Sequence, residues 1–166
     1  MSGIVVMGVT GCGKSTFGQA LAAALGAPYL EGDALHPASN IAKMTAGTPL
    51  TDEDRAPWLD LIAARMTRTP GTVVACSALK RSYRDRLRAG GSVIFVHLQG
   101  GRDQIAARLA ARQGHFMAPS LIDSQFATLE DPAGEPGVIT IDIARDPAAA
   151  LSDALAAIEG QGDRHV

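Results

Sequence analysis

Residues 8–15 read GVTGCGKS, which matches the pattern G-x-x-x-x-G-K-[ST]. The short apolar run at residues 4–7 predicts a buried strand before this stretch. Apolar residues at helical spacing predict a helix after it, beginning at Lys14 and stopped by Gly26. Between a strand and a helix, such a loop turns its backbone N–H groups around phosphate oxygens, and the helix dipole adds positive charge. The stretch therefore predicts a site for the phosphates of a nucleotide.

The residues of this loop have expected roles in binding ATP. Lys14 is expected to place its ammonium against the β- and γ-phosphates, and Ser15 is expected to offer its hydroxyl to Mg²⁺. For Cys12 we expect a backbone contact. The alternative is a redox switch, because a thiol near a helix N-terminus can be acidified. The remaining expected contacts to ATP in the loop are Gly8, Thr10, Gly11, Gly13 and Thr16.

The rest of the chain alternates between strand and helix patterns. Apolar runs at residues 27–31, 72–76, 93–98 and 138–142 predict four further strands. With helices between them, they predict a three-layer α/β domain, in which helices cover both faces of a five-stranded parallel sheet. Asp52 or Asp54 is expected to cap the helix that carries Trp58, with Pro57 in its first turn. We expect one domain over residues 1–166, with a helical lid near residues 112–130.

Length and composition exclude several classes of protein. At 166 residues, the chain can form one domain with a sizeable core. Its net charge of −2 lacks the basic excess that favours nucleic-acid binding, so no such partner is expected. No apolar run approaches the ~20 residues of a membrane span, so no membrane partner is expected, and no secretory signal is visible. The two cysteines, Cys12 and Cys76, are expected to be free thiols in a reducing cytoplasm.

The phosphate loop alone does not identify the reaction. A small-molecule kinase, a regulatory GTPase and an ATP-driven motor can all use such a loop. The N-K-x-D segment with which a GTPase reads guanine does not occur in the sequence, and no second domain is available for a motor. The short chain, with arginines late in the sequence, therefore favours a nucleotide or metabolite kinase. A nucleotide-dependent binding switch without chemistry stays open.

Further blocks of sequence carry a family resemblance. Residues 32–37 read GDALHP, residues 76–81 read CSALKR, and residues 114–117 read GHFM. Together with the phosphate loop, these blocks make the chain similar to the bacterial thermoresistant gluconokinase family over residues 4–157. The resemblance implies a P-loop fold like that of nucleoside monophosphate kinases. It also implies a homodimer and ATP-dependent phosphorylation of D-gluconate at O6, which gives 6-phosphogluconate.

At two places the sequence is compared with the patterns of related kinases. The family often has Asp-Gly-Asp where this chain has Glu31, Gly32 and Asp33, and the first acid would help to hold Mg²⁺ through water. The alternative reaction is that of a related enzyme such as shikimate kinase. Shikimate kinases carry a glycine-rich triplet after the third strand, where this chain reads CSA at residues 76–78.

The chemistry of gluconate and the resemblance together indicate an acceptor site. Asp33 follows the second predicted strand, and we expect it to orient the acceptor hydroxyl and accept its proton. An anion with several hydroxyls needs cationic forks and polar contacts. The expected substrate ligands are Asp33, His36, Arg55, Lys80, Arg81, Arg84 and Gln125.

Two arginines spaced four residues apart on a predicted helix, Arg108 and Arg112, are expected beside the nucleotide. A lid arginine can neutralise charge that develops on the γ-phosphoryl group. Arg112 therefore joins Lys14 and Asp33 as an expected catalytic residue.

The sequence gives weaker indications for one tryptophan and two histidines. Trp58 and His97 are expected in the core rather than in the site, and the buried imidazole of His97 should be hydrogen-bonded. Contact between His115 and a ligand is left open.

Overall fold

The computed structural model describes residues 2–111 and 119–162. Its strands are β1 (Gly3–Met7), β2 (Tyr29–Glu31), β3 (Val73–Ala75), β4 (Val93–Gln99) and β5 (Val138–Asp142). Its helices are α1 (Lys14–Leu25), α2 (Ala38–Thr45), α3 (Asp52–Arg68), α4 (Arg81–Arg88), α5 (Arg102–Ala111), α6 (Pro119–Thr128) and α7 (Pro147–Gly162). A 3₁₀ turn, Gly32–Leu35, follows β2. Within these residues, no helix has both the length and the apolar character needed to cross a membrane.

The strands form one five-stranded sheet in the order β2-β3-β1-β4-β5, and every neighbouring pair is parallel. The central strand β1 pairs with β3 on one side and with β4 on the other, so that Val5 lies opposite both Val74 and Phe95. This arrangement confirms the predicted parallel sheet. Every residue of β1 is buried. Helices cover both faces of this strand, which explains why its sequence is a continuous apolar run.

Successive residues of β1 point to opposite faces of the sheet and divide the core in two. Ile4 and Val6 belong to a cluster that includes Leu21 of α1, Ile105 of α5 and Ala154 of α7. On the other face, a second cluster joins Val5 and Met7 to side chains of α3 and α4, including Leu59, Ile62 and Leu87. The helices therefore cover both faces, which confirms the three-layer architecture.

The parallel direction of the strands brings their carboxyl ends to one edge of the sheet. The phosphate loop follows β1, the 3₁₀ turn with Asp33 follows β2, and the segment 76–80 follows β3. We call this the carboxyl edge. It collects residues that lie far apart in the sequence.

The start of α3 differs from the prediction. Thr51 is the N-cap, and its Oγ1 accepts a hydrogen bond from the Asp54 amide at 3.1 Å. In return, the Thr51 amide donates to Oδ2 of Asp54 at 2.9 Å. The prediction that Asp52 or Asp54 is the N-cap was wrong. Thr51 is the N-cap of a reciprocal capping box, and Asp54 is its N3 residue. Pro57 lies in the second turn rather than the first, where its missing N–H leaves the carbonyl of Glu53 without its helical donor.

Candidate active site

The phosphate loop is shaped by glycines with positive φ angles. Gly8 has φ +145°, and a Cβ there would lie 2.7 Å from Sγ of Cys12 and 2.8 Å from the carbonyl oxygen of Leu98. Gly13, with φ +92°, precedes α1 and supplies no side-chain cap. The amides of the first turn of α1 lack partners within the helix and point toward the loop, as in an anion-binding site. The amide of Gly8 donates to the Ser77 carbonyl at 3.2 Å, which ties the loop to segment 76–80.

The side chains of Lys14 and Gln125 both contact the phosphate loop. Nζ of Lys14 donates to the carbonyl of Val9 at 3.1 Å, so the ammonium lies against the loop itself. Oε1 of Gln125, on α6, accepts from the amide and the hydroxyl of Thr10 at 3.3 and 3.4 Å. The structure therefore places Gln125, a predicted substrate ligand, against the phosphate loop.

A small group of oxygens lies beside Ser15. Its hydroxyl donates to Oε2 of Glu31 at 2.7 Å, and the hydroxyl of Tyr29 donates to the same oxygen at 2.6 Å. Burial and the hydrogen bond to Glu31 raise the pKa of Tyr29 to about 12, so it remains a donor. Sequence reasoning did not identify Tyr29, although residues two apart on a strand lie on the same face and Glu31 was already noted.

These oxygens suit the binding of Mg²⁺. Hydroxyl and carboxylate oxygens are hard ligands, and Mg²⁺ is usually held by one or two protein groups together with phosphates and water. In residues 2–111 and 119–162, no three His, Cys, Asp or Glu side chains are grouped to hold a metal ion. Ser15 and Glu31 thus fit a metal that depends on nucleotide phosphates for its other ligands.

A cavity of about 390 Å³ adjoins the loop on the side of β5. Arg108 lies in its wall and donates to the carbonyls of Cys12 at 3.3 Å and Ile143 at 2.9 Å. Two carbonyls thus hold the guanidinium beside the loop, where a base and ribose would follow the phosphates. The other lining residues include Gly13, Thr16, Phe17, Leu98, Ile141 and Pro147.

A larger cavity, of about 510 Å³, lies at the opposite edge of the sheet. It is lined mainly by apolar side chains such as Ile4, Val93 and Ile158. Arg88 is the charged residue in its lining and is already paired with Asp85 and Glu135. Among the described residues, its lining therefore offers no free cation for a phosphate or a carboxylate.

The thiol of Cys12 does not have the character of a redox switch. Both cysteines are free and buried. Burial raises the pKa of the Cys12 thiol and outweighs the opposing effect of Lys14. The alternative that the helix N-terminus acidifies Cys12 is therefore contradicted by its burial, and its expected backbone contact is retained.

Arg55 and Lys80 meet at Asp52 and Tyr83. Lys80 donates to both carboxylate oxygens of Asp52 at 3.2 Å. Arg55 donates to the hydroxyl of Tyr83 at 3.1 Å, and that hydroxyl donates to Oδ1 of Asp52 at 2.6 Å. Both cations also lie over the Tyr83 ring, 5.4 and 5.6 Å from its centroid. We call these four residues the cation cluster.

The charges of the cation cluster stabilise one another. Hydrogen bonds from Tyr83 and Lys80 lower the pKa of Asp52, and the bond to Asp52 raises the pKa of Lys80. Sequence reasoning identified the two cations but missed their partners. Helical spacing was the available signal, because Asp52 and Arg55 are three residues apart, as are Lys80 and Tyr83.

Arg84 is not a substrate ligand, contrary to the prediction. Its side chain is 0% exposed. Nε and Nη2 donate to the two carboxylate oxygens of Glu135 at 2.9 and 2.6 Å. The other donors reach the carbonyls of Ala78, Leu79 and Glu130. All five N–H groups of the guanidinium are thus used. Arg84 instead holds segment 76–80, in which Ala78 has a positive φ of 47°.

Arg81 lies apart from the cation cluster. Its side chain is 63% exposed, and its Nε lies 3.9 Å from Asp85 on the same helix. Its amide donates to Oε1 of Glu130 at 2.9 Å. The structure therefore leaves Arg81 at the surface of α4.

Asp33 is largely exposed, with 79% of its side chain accessible. Oδ1 of Asp33 lies 3.9 Å from Nε2 of His36. The imidazole of His36 stacks on Trp58 at 4.1 Å between centroids. Nε1 of Trp58 donates to the Gly32 carbonyl at 2.8 Å, which confirms its structural place in the core.

The remaining predicted residues have different outcomes. His97 is buried as expected, but its Nδ1 finds no hydrogen-bond partner in the described part of the chain, so the expectation of a fully bonded ring was wrong. Arg112 and His115 lie outside the described residues.

Comparison with known proteins gives consistent results. The family model described as "Shikimate kinase" matches residues 10–130. The chain is 47% identical to the gluconokinase of Gluconobacter oxydans over 155 residues, covering 90% of this chain and 87% of that one. It is 46% identical to the thermoresistant gluconokinase of Escherichia coli, covering 84% and 83% of the two chains. A gluconokinase crystal structure from Sinorhizobium meliloti superposes with a TM-score of 0.92 at 49% identity, covering 98% of this chain and 94% of that one.

High identity over most of both chains, together with the phosphate loop and the shared fold, supports a single assignment: the chain belongs to the gluconokinase family of P-loop kinases.

Proposed function

We propose that this chain transfers the γ-phosphoryl group of ATP to O6 of D-gluconate, giving ADP and 6-phosphogluconate. The observation that carries the proposal is the position of the cation cluster on the same carboxyl edge as the phosphate loop. The Gly8–Ser77 hydrogen bond joins the loop to the segment that leads to Lys80. The carboxylate of gluconate would bind to the cations of this cluster, next to the phosphates of ATP.

The donor side uses the loop amides and Lys14. The amides would bind phosphate oxygens, while Lys14 would leave the Val9 carbonyl and balance charge on the transferring group. Gly8, Thr10, Gly11, Cys12, Gly13 and Thr16 complete the proposed loop contacts. Arg108 would lie beside the nucleotide, and Arg112 is proposed as a catalytic partner.

Magnesium is part of the proposal. Ser15 would hold it through its hydroxyl, and Glu31 would hold it directly or through water. When bound, Mg²⁺ supplies positive charge to the phosphate oxygens.

The acceptor side uses the cation cluster and Asp33. Arg55 and Lys80 would bind the carboxylate of gluconate, and Arg81 would have to swing in from the surface of α4 to join them. Gln125, on α6 beside the phosphate loop, would contact the acceptor. A carboxylate oxygen of Asp33 would accept the O6 proton as the bond from O6 to phosphorus forms and the bond from phosphorus to ADP breaks. Because the transition state is loose, Asp33 would act mainly by orienting O6.

An acceptor panel tests this function. Release of ADP by the purified chain should depend on gluconate, and the product should be 6-phosphogluconate. Shikimate is the informative competitor, because the matching family model carries that description. Adenosine monophosphate and adenylylsulfate complete the panel. Strong activity on another acceptor without activity on gluconate would reject the proposal. Slow hydrolysis that no acceptor stimulates would favour a binding switch.

Three further features belong to the proposal. We propose a single domain over residues 1–166 with a lid near 112–130, of which residues 112–118 lie outside the described part of the chain. The described part of the lid, α6, contacts the phosphate loop through Gln125. Protection of this segment from proteolysis by an ATP analogue would test whether the lid covers the nucleotide.

We also propose that the chain forms a homodimer, which light scattering would test. We propose a cytoplasmic location as well, which is consistent with the two free thiols and which cell fractionation would test.

A further inference from the structure

The imidazole of His36 is held on several sides and is only 6% exposed. One face stacks on Trp58, with an angle of 15° between the two ring planes. Its Nδ1 lies 3.2 Å from Nδ2 of Asn40, and its Nε2 lies 3.9 Å from Oδ1 of Asp33. So little accessible surface leaves a substrate little of the ring to contact, while Asp33 beside it is largely exposed.

The amide of Asn40 determines which nitrogen of His36 carries the proton. Nδ2 of Asn40 also donates to the Asp54 carbonyl at 3.0 Å. Because a carbonyl accepts only, the NH₂ group must face it, and its second hydrogen points to Nδ1 of His36. Nδ1 therefore accepts a hydrogen bond. The neutral ring must then carry its proton on Nε2, the nitrogen that faces Asp33.

We propose that Asn40 holds His36 in its neutral Nε2–H tautomer, and that His36 is a positioning residue for the carboxylate of Asp33. A small rotation of the exposed Asp33 side chain would close the 3.9 Å separation to a hydrogen bond with Oδ1. The other carboxylate oxygen is then left for the acceptor hydroxyl. This inference rests on the proposed role of Asp33, and it replaces direct substrate contact as the role of His36.

The surroundings of His36 favour the neutral ring. Burial lowers its pKa, and so does the positive charge of Arg55 on α3, while Asp33 opposes them. A second proton on Nδ1 would also face the N–H of Asn40. His36 therefore keeps a single proton while the O6 proton passes to Asp33, and it acts as a fixed donor rather than as a proton carrier.

Kinetic variants separate positioning from binding. His36→Leu removes the donor, whereas His36→Gln keeps an N–H at similar reach. We expect kcat for gluconate to fall on the order of 10- to 100-fold in His36→Leu, with KM for gluconate and ATP little changed. His36→Gln should recover most of the loss. A raised KM for gluconate with unchanged kcat, or a His36→Gln variant as slow as His36→Leu, overturns the proposal.

The tautomer is measured without turnover. Long-range proton–nitrogen NMR spectra of the wild-type protein should show Nδ1 of His36 unprotonated and Nε2 protonated. A proton on Nδ1 overturns the proposal even if the enzyme is active. A wild type with the expected tautomer but no activity on gluconate would instead contradict the proposed function.

Asn40→Asp adds a pH-dependent test. A carboxylate at position 40 accepts from Nδ1–H, which removes the Nε2 proton of the neutral ring and raises the pKa of His36. Turnover should then recover as the pH falls, because the imidazolium regains Nε2–H. A profile parallel to that of the wild type contradicts the proposal. If this variant does not fold, the His36 variants and the wild-type spectra still decide it.

Discussion

The hydroxyl of Ser15 donates a hydrogen bond of 2.7 Å to Oε2 of Glu31. Ser15 lies in the first turn of α1 and Glu31 at the end of β2, so the carboxyl edge brings together two oxygens that are 16 residues apart in sequence. Both are hard ligands beside the phosphate loop.

Replacement of Glu31 by Gln should raise the concentration of Mg²⁺ needed for half-maximal activity. The variant keeps a polar side chain but removes the negative charge that would attract the cation. The rate is measured against Mg²⁺ at fixed ATP and gluconate. Glu53→Gln, which changes an exposed acid in α3, is the matched control. If the two variants have the same Mg²⁺ dependence, Glu31 has no part in metal binding.

Lys14→Ala should lower kcat by about 10²–10³-fold, because it removes a positive charge from the transferring phosphoryl group. The chain offers Lys43→Ala as a control, since Lys43 bonds Asp54 at the start of α3. Turnover and nucleotide binding should be measured separately. Retention of turnover by Lys14→Ala would remove Lys14 from the catalytic residues.

Arg55→Ala should weaken gluconate binding and leave ATP binding close to normal. A charge-assisted hydrogen bond contributes ~1.5–3 kcal/mol, which corresponds to a rise in KM of about 10- to 150-fold. Tyr83→Phe should cause a smaller rise, because the ring under both cations remains while the hydroxyl partner of Arg55 is lost. Arg86→Ala, on the exposed side of α4, is the control. Weakened binding of ATP instead would assign Arg55 to the donor side.

Arg84→Ala should destabilise the fold strongly. It leaves the buried carboxylate of Glu135 without its main partner and frees the carbonyls of segment 76–80. Breaking such a buried ion pair costs about 3–5 kcal/mol in free energy of unfolding. Urea denaturation measures the difference, and Arg86→Ala should change it little. Unchanged stability would contradict the structural role of Arg84.

The same ion pair predicts a pH dependence of stability. The hydrogen bond from Arg84 is the largest effect that lowers the pKa of Glu135, from 4.5 to about 2. Since this pKa is depressed in the folded state, the stabilisation is fully present above pH 4.5 and is lost as the pH falls toward 2. The stability difference between wild type and Glu135→Gln should therefore shrink between pH 7 and pH 3. A constant difference would mean that Glu135 does not titrate in this way.

Arg84 also shows where sequence reasoning about the site fails. Its position three residues after the CSALKR block and its charge suggested a substrate ligand. Its actual partner, Glu135, is 51 residues away and no local pattern connects the two. Burial of a cation depends on which distant acid the fold brings to it, so the sequence could not distinguish Arg84 from Arg55.

The sheet and the phosphate loop were predictable because their signals are local. Apolar runs of strand length, helical spacing and the glycine pattern each act over a few residues, and five alternating units permit few parallel arrangements. The capping of α3 was predicted less well, because Thr51 and Asp54 share the cap and several nearby residues could have served.

The sequence by itself determined the α/β class, the phosphate loop and the family, since backbone periodicity and motif spacing are properties of neighbouring residues. Only the tertiary structure decided which polar groups meet: Ser15 with Glu31, Arg55 with Tyr83, and Asn40 with His36. Those contacts depend on the parallel strand order, which gathers separate loops at one edge, and on burial, which sets the partner and protonation state of each group.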